Sequence, residues 1–146
     1  MNGRTVDTIK ITVTPGRGGL TALYGATVKD GVEYMHHVYI NGESIWSDGV
    51  SISTFEKMLR KPGDYCPFFC SYCGEPGCVD IFYPVRCFHK ADRLILVIRR
   101  PLRDSCDCPK RRPRYHAYCI EKEQLRQQIY SLRKEFGDRL DRCGRQ

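Results

Sequence analysis

The sequence predicts an α+β domain on a mostly antiparallel sheet of about six or seven strands. Three observations predict it. Short segments alternate apolar and polar residues between turn signals, one helical stripe closes the chain, and a cysteine cluster sits on a Gly/Pro-rich bend in the middle. The 146 residues suit a single domain over 1–146 with one core. With 41% hydrophobic and 28% charged residues the composition is that of a globular chain, not a disordered one.

The elements follow in order. Asp7–Val13 sets Ile9, Ile11 and Val13 against Thr8, Lys10 and Thr12, a half-buried strand. The glycine-rich stretch after Pro15 lacks the Lys-Ser/Thr step of a phosphate loop, so it reads as a hairpin loop. Leu20–Val28 is a second strand and Lys29-Asp30-Gly31 a turn. Val32–Ile40 is a third strand, with His36 on one face and His37 on the other, so the two do not share a metal. Asn41-Gly42 turns the chain toward a short strand at Ile45-Trp46. Ser53 and Glu56 fit a capping box for a two-turn helix that Pro62-Gly63 ends. Val79–Tyr83 and Val85–His89 are extended pieces split by Pro84. Arg93–Arg99, the most apolar run, is expected at a sheet centre, and Tyr115–Ile120 is the last strand. In 121–140, Leu125, Ile129, Leu132 and Phe136 make one stripe, an amphipathic helix expected to pack on one face of the sheet.

Four of the nine cysteines lie in Cys66–Cys78, CPFFCSYCGEPGC. Cys70-Ser71-Tyr72-Cys73 is a tight CxxC turn, and Gly74, Pro76 and Gly77 bend the chain so that Cys78 returns to it. Zn²⁺ takes four soft ligands in a tetrahedron, so 66–78 is expected to be a structural zinc knuckle at one end of the sheet. Cys70, Cys73 and Cys78 supply three ligands, and Cys66 the fourth, with Cys87 and His89 as alternatives. Cys106, Cys108, His116 and Cys119 are a candidate second site, though three residues along a strand put His116 and Cys119 on opposite faces.

The sequence argues against several classes. No run of about eighteen apolar residues predicts a membrane span. No apolar signal core opens the chain, and an odd cysteine count suits reduced thiols in a cytoplasm. Glu75 and Asp80 lie near the knuckle, but neither an HExxH pattern nor the HxE and PCxxC deaminase pair occurs, so no enzyme is expected. The net charge is +7. Lys110, Arg111, Arg112 and Arg114 form its densest run, which suits a partner with an acidic surface, and nucleic acid is the other polyanion it fits.

The run Val38–Ser44, a short helix, Phe69–Cys78, paired strands and Tyr115–Ile129 together resemble a family of small uncharacterised bacterial proteins with a CxCGxxGC knuckle, a strand pair and a closing helix. Some of those resemble immunity-type proteins encoded near toxins. The similarity spans roughly residues 32–136 and is carried most by Cys73-Gly74-Glu75-Pro76-Gly77-Cys78. This chain departs by one residue, with CxxC at Cys70–Cys73 where the family has CxC. The expectation is a non-catalytic, zinc-stabilised protein that neutralises a protein partner, as an immunity protein or inhibitor does. The alternative is a zinc-containing nucleic-acid binder of a phage or mobile element.

Overall fold

The computed structural model describes residues 5–15, 27–29, 32–46, 49–69, 84–100, 114–137 and 140. The fold is α+β, with antiparallel sheets and two helices. Among the described residues the strands do not form the single sheet expected; they divide into two four-stranded sheets and a two-stranded pairing.

In the first sheet, β1 (Ile9–Pro15) lies antiparallel to β3 (Val32–Ile40), with Ile9 opposite Ile40 and Pro15 opposite Tyr34. On the other edge of β3 sit β2 (Thr27–Lys29) at one end and β4 (Glu43–Trp46) at the other. Asn41 and Gly42 make the two-residue β3–β4 turn at φ 54° and 80°, the left-handed pair that Asn-Gly adopts at little cost. Alternation buries His36, Val38 and Ile40 on one face of β3, while His37, on the opposite face, contacts the Thr14 hydroxyl at 3.2 Å. A short pairing of β5 (Gly49–Val50) with a later strand, β7 (Phe68–Phe69), follows.

Helix α1 spans Ile52–Arg60 and begins two residues before the expected position. Ser51, not Ser53, is the N-cap: its hydroxyl accepts from the Thr54 N–H at 3.2 Å and from the Thr54 hydroxyl at 2.8 Å. The reason is burial. Ile52, Phe55 and Met58 form the inward face, and Ile52 joins it only if the helix starts there. Glu56 is thereby released from the capping box and turns to the second helix.

The second sheet has the order β10 (Arg114–Glu121), β9 (Arg93–Arg100), β8 (Val85–Lys90) and β6 (Gly63–Tyr65). The apolar run β9 occupies its middle, with Leu94, Leu96 and Ile98 buried. Helix α2 (Lys122–Phe136) then buries Leu125, Ile129 and Phe136, and Gly137 caps it at φ 59°. One hydrophobic cluster draws on both sheets and both helices.

The two sheets touch where β1 begins. The Asp7 N–H donates to the Cys119 carbonyl at 2.7 Å, and the Asp7 carboxylate accepts from the Cys119 N–H at 2.8 Å. Beyond that point the open edge of β1 is met by α2, not by β10. Gln124 accepts from the Ile9 N–H at 3.1 Å, and Gln128 accepts from the Ile11 N–H at 2.7 Å and donates to the Ile9 carbonyl. Two glutamine side chains therefore occupy the edge that a continuous sheet would need, which is why the strands split into two sets.

Candidate functional site

The expected metal site is represented by one described residue. Cys66 follows β6 and is an exposed residue, and its sulfur is a donor of the kind zinc accepts. Partial burial of the thiol, and then the nearby Asp64 carboxylate, hold its pKa above the ordinary 9.0. Cys70, Cys73 and Cys78 lie outside the described residues, as do Glu75 and Asp80. Among the described residues no three His, Cys, Asp or Glu side chains come together.

The two alternative fourth ligands both face the end of α1. Pro62 has no N–H to close the helical bond to the Met58 carbonyl, four residues before it. Cys87 and His89, alternate residues on β8, reach that carbonyl instead: His89 Nε2 donates at 2.6 Å and the Cys87 thiol at 3.6 Å. Because a carbonyl only accepts, the proton of a neutral His89 belongs on Nε2. Burial pushes the Cys87 thiol up to about 11, with Lys122 opposing the rise. Both side chains thus complete the end of α1.

The second candidate cluster does not converge within the described part. His116 is exposed and Cys119 is buried, on opposite faces of β10, while Cys106 and Cys108 lie outside the described residues. Of the basic run, Arg114 is exposed and paired in register with Arg100; Lys110, Arg111 and Arg112 lie outside.

Two surfaces were not foreseen from the sequence. The first is a groove of about 390 Å³ between the helices. Leu59 and Ile129 form its apolar part, and Arg60, Arg126 and Tyr130 stand at its rim. Tyr130 is 68% exposed. Arg133 closes the groove by forking onto Glu56, with Oε1 at 2.5 Å and Oε2 at 3.4 Å, and it also reaches the Ser53 hydroxyl at 3.3 Å. Arg126 is held by Glu123 one turn earlier. The signal for Tyr130 was present: it is an aromatic off the Leu125–Phe136 stripe, with no core position to fill.

The second surface is the outer face of the four-stranded sheet β10–β9–β8–β6. The registers put Phe88 opposite Ile95, Arg86 opposite Val97, Lys90 opposite Arg93 and Tyr115 opposite Arg99, all on the side away from Leu94, Leu96 and Ile98. Phe88 is 50% exposed and Tyr115 57%.

With this geometry in view, comparison with known proteins adds no relative: no protein-family model, no curated protein and no solved structure matches the chain. Among the described residues no helix is long and apolar enough to cross a membrane.

Proposed function

We propose that this chain is a non-catalytic binding protein of the immunity or inhibitor type, acting in the cytoplasm by occupying an acidic surface of a protein partner. The observation that carries the reading is Tyr130, largely exposed on α2 beside Arg126 and Arg60 over the apolar floor of Leu59 and Ile129. Tyrosine and arginine around a small apolar recess are the residue types that dominate binding energy at protein interfaces. The basic run Lys110, Arg111, Arg112 and Arg114, within a chain of net charge +7, would speed the encounter with an acidic target. A zinc ion on Cys66, Cys70, Cys73 and Cys78 would stiffen the middle of the chain, and α2 would close over one face of the sheet. The zinc contributes folding energy and no step of chemistry in this reading.

The test is co-purification from the native host with the wild-type chain and with a Tyr130→Ala, Arg126→Glu double variant. A partner retained by the wild type and lost by the folded double variant supports the reading. A partner retained by both moves the interface off the groove, and metal-dependent turnover of any substrate overturns the non-catalytic assignment.

A further inference from the structure

We infer that the outer face of the second sheet is a platform for single-stranded nucleic acid, with Phe88 and Tyr115 stacking on bases and Arg86, Lys90 and Arg93 facing phosphates. The inference does not depend on the helix groove or on zinc.

The face is defined by the register. Even-numbered residues of β8 and odd-numbered residues of β9 and β10 share it. Phe88 and Tyr115 are two of the three large apolar side chains exposed among the described residues, and both stand on this one face. The partly exposed Ile95 and Val97 and the exposed Ala117 form a flat apolar floor between them. The floor ends at Cys119, which is 2% exposed and whose backbone is held by Asp7.

Charge selects the occupant. Counting Arg99, whose guanidinium is partly buried, four basic residues on the face outnumber the two acidic ones, Asp64 opposite Arg86 and Glu121 opposite Arg93. Residues 99–114 hold seven basic and two acidic side chains, a net of +5 out of the +7 of the chain. Both ends of that stretch are anchored here, because Arg100 pairs with Arg114 and Arg99 with Tyr115. A second copy of the same face would set arginine against arginine, so self-association is disfavoured. The matching ligand is anionic and presents flat apolar surfaces. Single-stranded nucleic acid does both, because its bases are free to stack on aromatic rings; a duplex keeps its bases stacked inside.

The test is fluorescence anisotropy of the full-length protein with labelled oligo-dT, oligo-rU and a mixed-sequence duplex at 50 to 300 mM salt, values chosen on the order of those over which counterion release is read. The expected result is single-strand binding that weakens with salt, with a log–log slope of about −2 for three neutralised phosphates. Phe88→Ala and Tyr115→Ala each weaken it by about five- to a hundredfold, while the melting temperature stays within a few degrees. Phe88→Leu separates stacking from simple apolar contact. It keeps the apolar bulk and loses the ring, so it is expected to bind as weakly as Phe88→Ala. No binding at the lowest salt overturns the inference. So does equal binding of the duplex, wild-type affinity in Phe88→Leu, or polyglutamate binding with the same dependence on Phe88, which would assign the face to an acidic protein.

Discussion

Gln128 accepts from the Ile11 N–H at 2.7 Å, and the same side-chain amide donates to the Ile9 carbonyl. In a parallel ladder, the residue facing Lys10 would use its own backbone to bond the N–H of Ile11 and the carbonyl of Ile9. A primary amide offers the same donor and acceptor, so one side chain on α2 stands in for a residue of a missing strand. Gln128→Leu leaves both backbone groups without it and is expected to cost about 1–3 kcal/mol in denaturant unfolding. Gln128→Glu keeps the acceptor for Ile11 and turns a carboxylate oxygen toward the Ile9 carbonyl. Its ionised form is disfavoured in the fold, so its folded pKa is raised. The variant should approach wild-type stability at low pH and lose it as pH rises through the folded pKa. A pH-independent deficit would show that the donor role is wrong.

The His89–Met58 contact yields a coupled prediction. His89→Ala removes the main donor to a carbonyl that Pro62 leaves unserved, at about 1–2 kcal/mol. Pro62→Ala supplies a new N–H at the helical position. In the His89→Ala background it should recover part of that loss, and a double-mutant cycle reads the coupling. Strict additivity of the two changes would disconnect Pro62 from His89.

Cys87 is expected to make the stability fall at alkaline pH. Its thiol is ordinary at 9.0 and sits near 11 in the fold. The neutral form is the one the fold favours. The contribution is therefore complete below pH 9 and is lost as pH rises from there through about 11. Urea midpoints measured across this window should drop more steeply for the wild type than for Cys87→Ala. Parallel curves would place the alkaline loss in other groups.

Arg133 and Glu56 tie α2 to α1 through a fork whose side chains are 30% and 33% exposed. Glu56→Gln or Arg133→Met should each cost about 1–2 kcal/mol, more than an exposed pair. Raising salt should reduce the difference only weakly, because the pair is partly shielded. A cost that vanishes in 0.5 M salt, a concentration on the order of that which collapses the Debye length, would mark the pair as a surface contact.

Zinc is tested by elemental analysis of the purified protein. About one equivalent per chain is expected, with Cys73→Ser lowering both metal content and melting temperature. A strong chelator should reproduce the variant's melting curve in the wild type. Metal-free wild-type protein with an unchanged melt removes the knuckle.

Much of the fold was written in local pattern. Strand alternation located β3 to its ends, the apolar run located β9 at the middle of its sheet, and the Leu125–Phe136 stripe located α2. Those signals depend on neighbours two to four positions apart, which the sequence states directly. The N-cap was misplaced by two residues, because a serine suits a cap at either Ser51 or Ser53 and only the burial of Ile52 decides between them.

The sequence by itself determined the extended segments of β1, β3, β8, β9 and β10, the helical stripe of α2, and the inward faces of β1 and β3. Only the tertiary structure decided that the strands form two sheets and not one, because that rests on Gln128 meeting Ile11 across 117 positions of chain. It also decided that Cys87 and His89 serve a helix end, and that Phe88 and Tyr115 share an open face. Backbone groups left without partners are satisfied by whatever side chain the fold brings near. That choice is made in space, and no local periodicity encodes it.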